Sequence, residues 1–447
     1  MSFWLLALRN LGRNRKRNLA TGSAIAFGFA GILLLAGYSY RGTNYIRTYT
    51  VYVIHTGHLA IFAPNGFEQF PYKPAKFSLS KDAQDKVIAA LATEPEVERF
   101  EKQIRGQGLV GNGCISFPFV AQGFDPAIDR EMRLHPQVKE WMPSFQYLLS
   151  GSGLWDFPES MSPILLSKGL SLSLGKVKMH GDFPPSGALI TVPDCANPRE
   201  QAAKDANVQL LSGAWAGNVS AADGEVVGTF TTGVQETDSS SIMAPTSLLQ
   251  KLFDTDHVTE IAVWLKHPEK IAEVRASLQA KLGNEAEILR WDEERLSPFY
   301  VGTVDFLHTL VLAGALVMSA IIALSVLNSA TMTILERSQE IGMYRSMGFR
   351  RSQVRILYVQ ESLWLSILAL GAGTALGLAA IRLINDAQIL YHPPGVSGGL
   401  TLVLILPWVQ TAWVALLILF LVCLATYFAV TNRLRPTPAD LLGGTLR

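Results

Sequence analysis

The chain is 447 residues long, 49% apolar and 17% charged, with a formal charge of +1 at pH 7. That total hides a segregation: residues 1–18 carry five basic side chains and no acid, whereas residues 41–304 carry 24 Lys/Arg against 31 Asp/Glu, a net of −7 by subtraction. The arginines gather at the ends of apolar runs and form no basic soluble face, which excludes a nucleic-acid footprint.

Residues 3–8, FWLLAL, precede RNLGRNRKRN and predict an amphipathic segment at the cytoplasmic interface, within 1–18. Asn18 to Tyr40 then runs 23 residues without a charge, enough to cross a hydrocarbon core of about 30 Å. A signal peptide also opens with basic residues before an apolar run. This run is too long for one, and no small-x-small cleavage site follows it. The first span is therefore placed at 19–40, uncleaved. Gly22, Ala26 and Ala30 are four residues apart and give it a smooth packing face.

Residues 41–304 read as one extracytoplasmic α+β domain. Ser80 caps a predicted helix to Thr93, with Ala83, Val87, Ala90 and Leu91 at helical spacing. Val97–Val110 and Ile115–Phe124 read as strands around a GNG turn. Residues 125–160, rich in Pro, Trp and Met, have poor periodicity and are expected to be an insertion or subdomain. Ile164–Gly175 reads as a helix, and Ala188–Val192 and Glu225–Thr232 as strands. Thr246–Phe253 reads as a short helix, Glu260–Leu265 as a strand, and Pro268–Leu282 as a helix ended by Gly283. His55 and His58 lie in VYVIHTGHLAIF, which alternates like a strand. They would then face opposite sides, so shared metal ligation is not expected. Cys114 and Cys195 fall in an oxidising compartment where a disulfide can form. Nothing in the sequence brings them together, and two separate thiols are the expectation.

Phe306 to Leu335 has no charged residue over 30 positions, and Ser362 to Ile381 has none over 20. Spans are placed at 305–335, 358–383 and 405–431, the last with Trp408 and Trp413 as interfacial anchors. Gly373 and Gly377 form a small-xxx-small pair in the third span. Asp305 and His308 sit at the outer mouth of the second as an interfacial pair. An outer loop, 384–404, holds HPPG, whose prolines forbid a helix. Residues 336–357 join the second and third spans. From Thr333 to Glu361 five arginines stand against three glutamates, so the positive-inside rule puts this joint, and both termini (1–18 and the tail 432–447), in the cytoplasm. Glu336 and Glu340 are one helical turn apart, as are Ile341 and Arg345. Gly342 and Gly348 interrupt the helix, and Arg350-Arg351 open the next one.

The order Glu336, Arg337, Glu340, Ile341, Gly342, Arg345, Gly348 resembles the signature of FtsX/MacB-type ABC transporter permeases. The later part of 41–304 and the closing RLRPTPADLLGG follow the same family's order. HTGHLAIF and the PPG loop look closest to its LolC/LolE lipoprotein-releasing branch, with a MacB-like efflux permease as the alternative. The resemblance implies a permease that moves lipoprotein or another amphiphilic cargo from the periplasmic side of a bacterial inner membrane by mechanical transmission. It further implies a dimer of ATP-binding subunits as partner, with ATP and Mg held there, and a second permease copy or paralogue. A periplasmic acceptor or adaptor and membrane lipid complete its expected contacts. Docking on the ATPase would fall to the seven signature residues with Arg350 and Arg351. Candidate cargo contacts are Tyr49, Tyr52, Ile54, Phe299, Phe306 and Leu310, apolar groups near the ends of the first two spans. A reading from another class is a membrane-anchored regulator of a periplasmic partner such as a cell-wall hydrolase.

Catalytic chemistry is not expected within this sequence. The nearest approach to a phosphate-binding loop, GLSLSLGKV at Gly169–Val177, has five residues between its glycines instead of four and Val177 where a hydroxyl is needed. No HExxH, CxxC or GxSxG occurs, and no cofactor or metal ligand set is assigned.

Overall fold

The computed structural model describes residues 12, 15–182, 195–196, 205–215, 217–392 and 397–433. Two compact units divide the chain. One is Met1–Thr43, Thr303–Ile389 and Thr401–Arg447, and the other is Asn44–Gly302 and Leu390–Leu400. Together they make a four-helix membrane protein with a large α+β domain between its first and second long helices.

The first long helix, α1 (Arg15–Thr48), continues as a single π-helical turn, Tyr49–Val53. Thr50 to Val53 are buried there, so the chain enters the domain as part of its core. The expected strand is shorter than the alternation suggested: only Leu59–Phe62 pairs, as β1. His55 lies in the preceding loop at φ 60°.

The domain is built on ten strands. After β1 come β2 (Val97–Gly111), β3 (Ser116–Phe124), β4 (Leu148–Gly151), β5 (Pro163–Ser167) and β6 (Asn207–Gly213). Then follow β7 (Val219–Phe230), β8 (Ser241–Pro245), β9 (Glu260–Leu265) and β10 (Glu287–Arg290). The pairing order is β10-β1-β9-β2-β3-β8-β5-β7-β4, while β6 joins β2 to β7. That last strand closes a ring of six, β2-β3-β8-β5-β7-β6, which removes its free edges. Leu248, Leu249, Leu252 and Phe253 of a helix at Thr246–Phe253 are buried with Ile104, Phe119 and Leu166 in the cluster at this ring.

The helices α2 (Lys81–Ala92), α3 (Pro126–Arg133), α4 (Pro136–Trp141), α5 (Lys168–Leu174), α6 (Thr246–Phe253) and α7 (Ile271–Leu282) complete the domain. Ser80 caps α2, its Oγ accepting from the Ala83 amide at 3.4 Å. A second cluster buries the π-helical turn with β9, α2 and α7. Residues 125–160 belong to this cluster through Met132, Val138, Met142, Tyr147 and Leu154. They are part of the domain core and not a separate subdomain. Their apolar side chains hang on two short Pro-started helices and a loop, too short for any period to show. Ile164–Gly175 divides into β5 and α5 because its first four residues, Ile164 to Ser167, are buried in the sheet. Cys114 and Cys195 form a disulfide, with Cα atoms 5.4 Å apart across a separation of 81 residues, which corrects the expectation of free thiols. The strand expected at 188–192 lies outside the described residues.

The helical unit holds α8 (Pro298–Glu336), α9 (Ser338–Ser346), α10 (Arg351–Asp386) and α11 (Trp408–Arg433). With α1, the three long ones are long and apolar enough to cross a bilayer. Their common core includes Ile25, Phe29, Leu33, Ile322, Val326, Leu370 and Val422. A short β pair, β11 (Leu390–Tyr391) and β12 (Leu400–Thr401), lies between α10 and α11.

Candidate functional site

α8 ends at Glu336, where Arg337 leaves helical geometry at φ −102° and ψ 18°. Arg337 still donates its amide to Thr333 O at 3.1 Å and accepts from the Ile341 amide at 3.0 Å. Arg337 thus keeps both its backbone hydrogen bonds where the chain kinks into α9. Gly342 lies inside α9, so the first interruption is at Arg337, not at this glycine. As a result Glu336 and Glu340 stand on different helices. Gly348 does end α9. It sits at φ +95°, its amide reaches Arg345 O at 3.1 Å, and the Phe349 amide reaches Tyr344 O at 3.1 Å. This paired closure requires the left-handed region, which glycine enters without steric cost. Arg350 then caps α10, its amide donating to Gln353 Oε1 at 2.8 Å.

Ile341 is fully buried in a cluster with Ala330, Ile334, Val354, Tyr358, Ala429 and Val430. It pins α9 against α8, α10 and α11. Met343 on the outer side of α9 and Met347 just past its end are 52% and 61% exposed, and Arg350 and Arg351 are exposed beyond them. Glu340 and Arg345 are half-buried, and Gly342 is buried. The two methionines escaped the sequence reading, although their spacing opposite Ile341 was there to find them. Exposed methionines make adaptable contact surfaces, because the side chain is unbranched and polarisable.

Three arginines tie the helices together. Arg17 of α1 pairs with Glu336 of α8. Arg337 lies 3.3 Å from Glu361 of α10, both side chains buried. Arg355 Nη1 donates to Tyr427 Oη of α11 at 3.1 Å. Beside the second tie, a cavity of about 30 Å³ is lined by residues of α1, α8, α10 and α11.

The expected cargo contacts divide. Tyr49 meets Phe145 edge-on with ring centroids 6.0 Å apart, and Tyr52 stacks on His135 at 4.3 Å. Tyr52 is 6% exposed and belongs to the domain core. Burial pushes its hydroxyl pKa up to about 12. Tyr52 therefore presents no cargo surface, and Tyr49 and Ile54 are half-buried beside it. Phe299, Phe306 and Leu310 are 60%, 64% and 41% exposed and remain available.

Residues 312–439 match the FtsX-like permease C-terminal family. The macrolide export ATP-binding/permease protein MacB of Hyphomonas neptunium is 24% identical over 162 residues, 34% of this chain and 24% of the relative. The pyoverdine export ATP-binding/permease protein PvdT of Pseudomonas savastanoi pv. phaseolicola is 31% identical over 84 residues, 18% of this chain and 13% of the relative. This chain thus spans about a quarter or less of those relatives' lengths. The periplasmic region of MacB from Actinobacillus actinomycetemcomitans covers 52% of this chain and 88% of its own, at 13% identity and a TM-score of 0.31. The extracellular domain of the transporter YknZ from Gram-positive bacteria covers 52% and 99%, at 13% identity and a TM-score of 0.28. The helical end of the chain thus matches the FtsX-like permease C-terminal family, and its sequence is similar to two proteins named as ATP-binding/permease exporters.

Proposed function

We propose that this chain is the membrane subunit of an exporter driven by ATP hydrolysis in a partner, and that α9 is where the partner docks. The observation that carries this is the two-sidedness of a nine-residue helix. Ile341 is locked into the bundle, while Met343, Met347, Arg350 and Arg351 face away from it. A short helix built this way can be pushed as a solid body, and its inner face conveys the push to the long helices. Such docking would place α9 in the cytoplasm, in agreement with its arginine excess, and the chain in an inner membrane. The match to two proteins named as ATP-binding/permease exporters supports the same reading.

The cargo is proposed to be amphiphilic, a lipoprotein or a smaller efflux substrate, met from the periplasmic side at Phe299, Phe306 and Leu310. A second permease copy and a periplasmic acceptor would complete the machine. The docking test is affinity purification of the tagged full-length chain from its native membranes. An ATP-binding protein should accompany it, and the double substitution Met343→Asp/Met347→Asp should release that protein while the chain stays inserted. Purification with no ATP-binding protein, or full retention in the double variant, would overturn docking on α9.

A further inference from the structure

Arg337 and Glu361 stand where charge is costly. Their side chains are 7% and 10% exposed, and Arg337 Nη1 lies 3.4 and 3.3 Å from the two carboxylate oxygens. A buried ion pair adds little stability over apolar packing, because desolvation offsets the attraction. Its better-attested use is to fix one arrangement. Here the arrangement is a junction: Arg337 is the kink between α8 and α9, and Glu361 lies ten residues into α10. Four residues beyond the kink Ile341 fills the bundle. On the other side of Glu361 lies the small cavity, walled by Thr21, Ser329, Thr333, Ser366 and Thr426 as well as Glu361. Thr426 is 1% exposed and its Oγ1 has no hydrogen-bond partner. A polar void of this size holds about one water, so close packing is interrupted beside the pair.

We propose that Arg337 and Glu361 are positioning residues: they pass a displacement of α9 to α8 and α10 together, and the polar cavity gives the helices room to shift. This rests on the docking reading above. Without the pair, α9 would swing about its kink against Ile341 alone, and a push would not reach the far halves of the long helices.

The test uses the full-length chain purified with its ATP-binding subunit and reconstituted, with spin labels at Leu312→Cys and Leu376→Cys, both exposed, in a Cys423→Ala background. The wild-type pair should give a label distance that changes on ATP binding. Arg337→Gln and Glu361→Gln should keep the ATP-binding subunit and lose the distance change, and the exchange Arg337→Glu/Glu361→Arg should restore it. If the single variants are too unstable to insert, the exchange variant alone decides: restored movement supports the pair, and an inserted but unmoving complex overturns it. A normal distance change in either single variant also overturns it. Failure of the wild-type chain to bring down an ATP-binding subunit would instead sink the docking reading.

Discussion

His55 and His58 are three residues apart, and the domain shifts their titration in opposite directions. Burial alone would lower the His55 pKa. Glu101 at 2.9 Å from Nδ1 and Asp129 at 2.9 Å from Nε2 outweigh it and raise the value above the ordinary 6.5. Arg133, 2.7 Å from Asp129, completes a buried cluster of two basic and two acidic side chains. Burial would raise Asp129, but Arg133 and His55 together hold it below the usual carboxylate value. His58 is pushed down to about 3, first by burial and then by Arg47. It accepts the Leu265 amide at 3.0 Å as a neutral ring. For His55 the raised folded pKa means its stabilisation is complete below 6.5 and is lost as pH rises through the folded value. For Asp129 the depressed pKa means stabilisation present above its ordinary value of 3.8 and lost as pH falls through the folded one. Thermal stability of the detergent-solubilised chain should therefore decline on the alkaline side, as pH rises above 6.5, and on the acid side, as pH falls below 3.8. His55→Asn tolerates the positive φ, removes the titrating ring and leaves two carboxylates facing one arginine. It should destabilise the domain by about 3 kcal/mol at pH 6 and abolish the alkaline decline. An unchanged alkaline decline in that variant would mean that His55 does not titrate there.

Between elements, α1 and α10 approach closely in the helical unit. A Cβ added to Gly373 would lie 2.7 Å from the Ala26 carbonyl oxygen, and one on Gly377 2.9 Å from Leu33 Cδ1. On Gly371 it would meet nothing within 4 Å. Gly373→Val should therefore cost about 1–3 kcal/mol by overpacking and lower the melting temperature in detergent, whereas Gly371→Ala should leave it near wild type. Equal effects at the two positions would remove the contact. The two faces, though not their pairing, were legible in the sequence, because small residues at four-residue spacing in each helix announce a close face. Gly348 was legible for a related reason, since a helix end that needs positive φ selects glycine. Arg337 was not: an arginine in a basic loop reads as solvent-facing, and only the fold supplies Glu361 from 24 residues later. Tyr52 failed in the same way. Its aromatic ring near the end of an apolar run suggested a membrane-level surface, and the π-helical turn that buries it has no sequence signature. The Cys114–Cys195 bridge joins a β-hairpin to a segment 81 residues on, a distance no local pattern encodes.

At the scale of the whole chain, charge distribution makes the strongest commitment. The acidic balance lies within 41–304, and the basic residues lie before α1, around α9 and after α11. Four long helices allow this only if α9 and both ends share one side and the domain and the loop between α10 and α11 share the other, because each span reverses the side. A polar turn such as Gly233–Asp238 belongs with the second group. Thr232 donates its amide to Asp238 Oδ1 there, and the Gly233 carbonyl accepts the Ser397 amide of the α10–α11 loop at 3.0 Å. That hydrogen bond lies within one compact unit, and it requires the domain and the loop to be on the same face of any membrane. Single cysteines at Ser173 and Ser346, both exposed, and at Ser397 test this in a Cys423→Ala background. An impermeant maleimide applied to cells with a permeabilised outer membrane should modify Ser173→Cys and Ser397→Cys at once and Ser346→Cys only after lysis. Early modification of Ser346→Cys would reverse the side assigned to α9. Modification of Ser173→Cys without Ser397→Cys would instead mean that α8 and α10 do not both cross, which the hydrogen bond between Ser397 and Gly233 forbids.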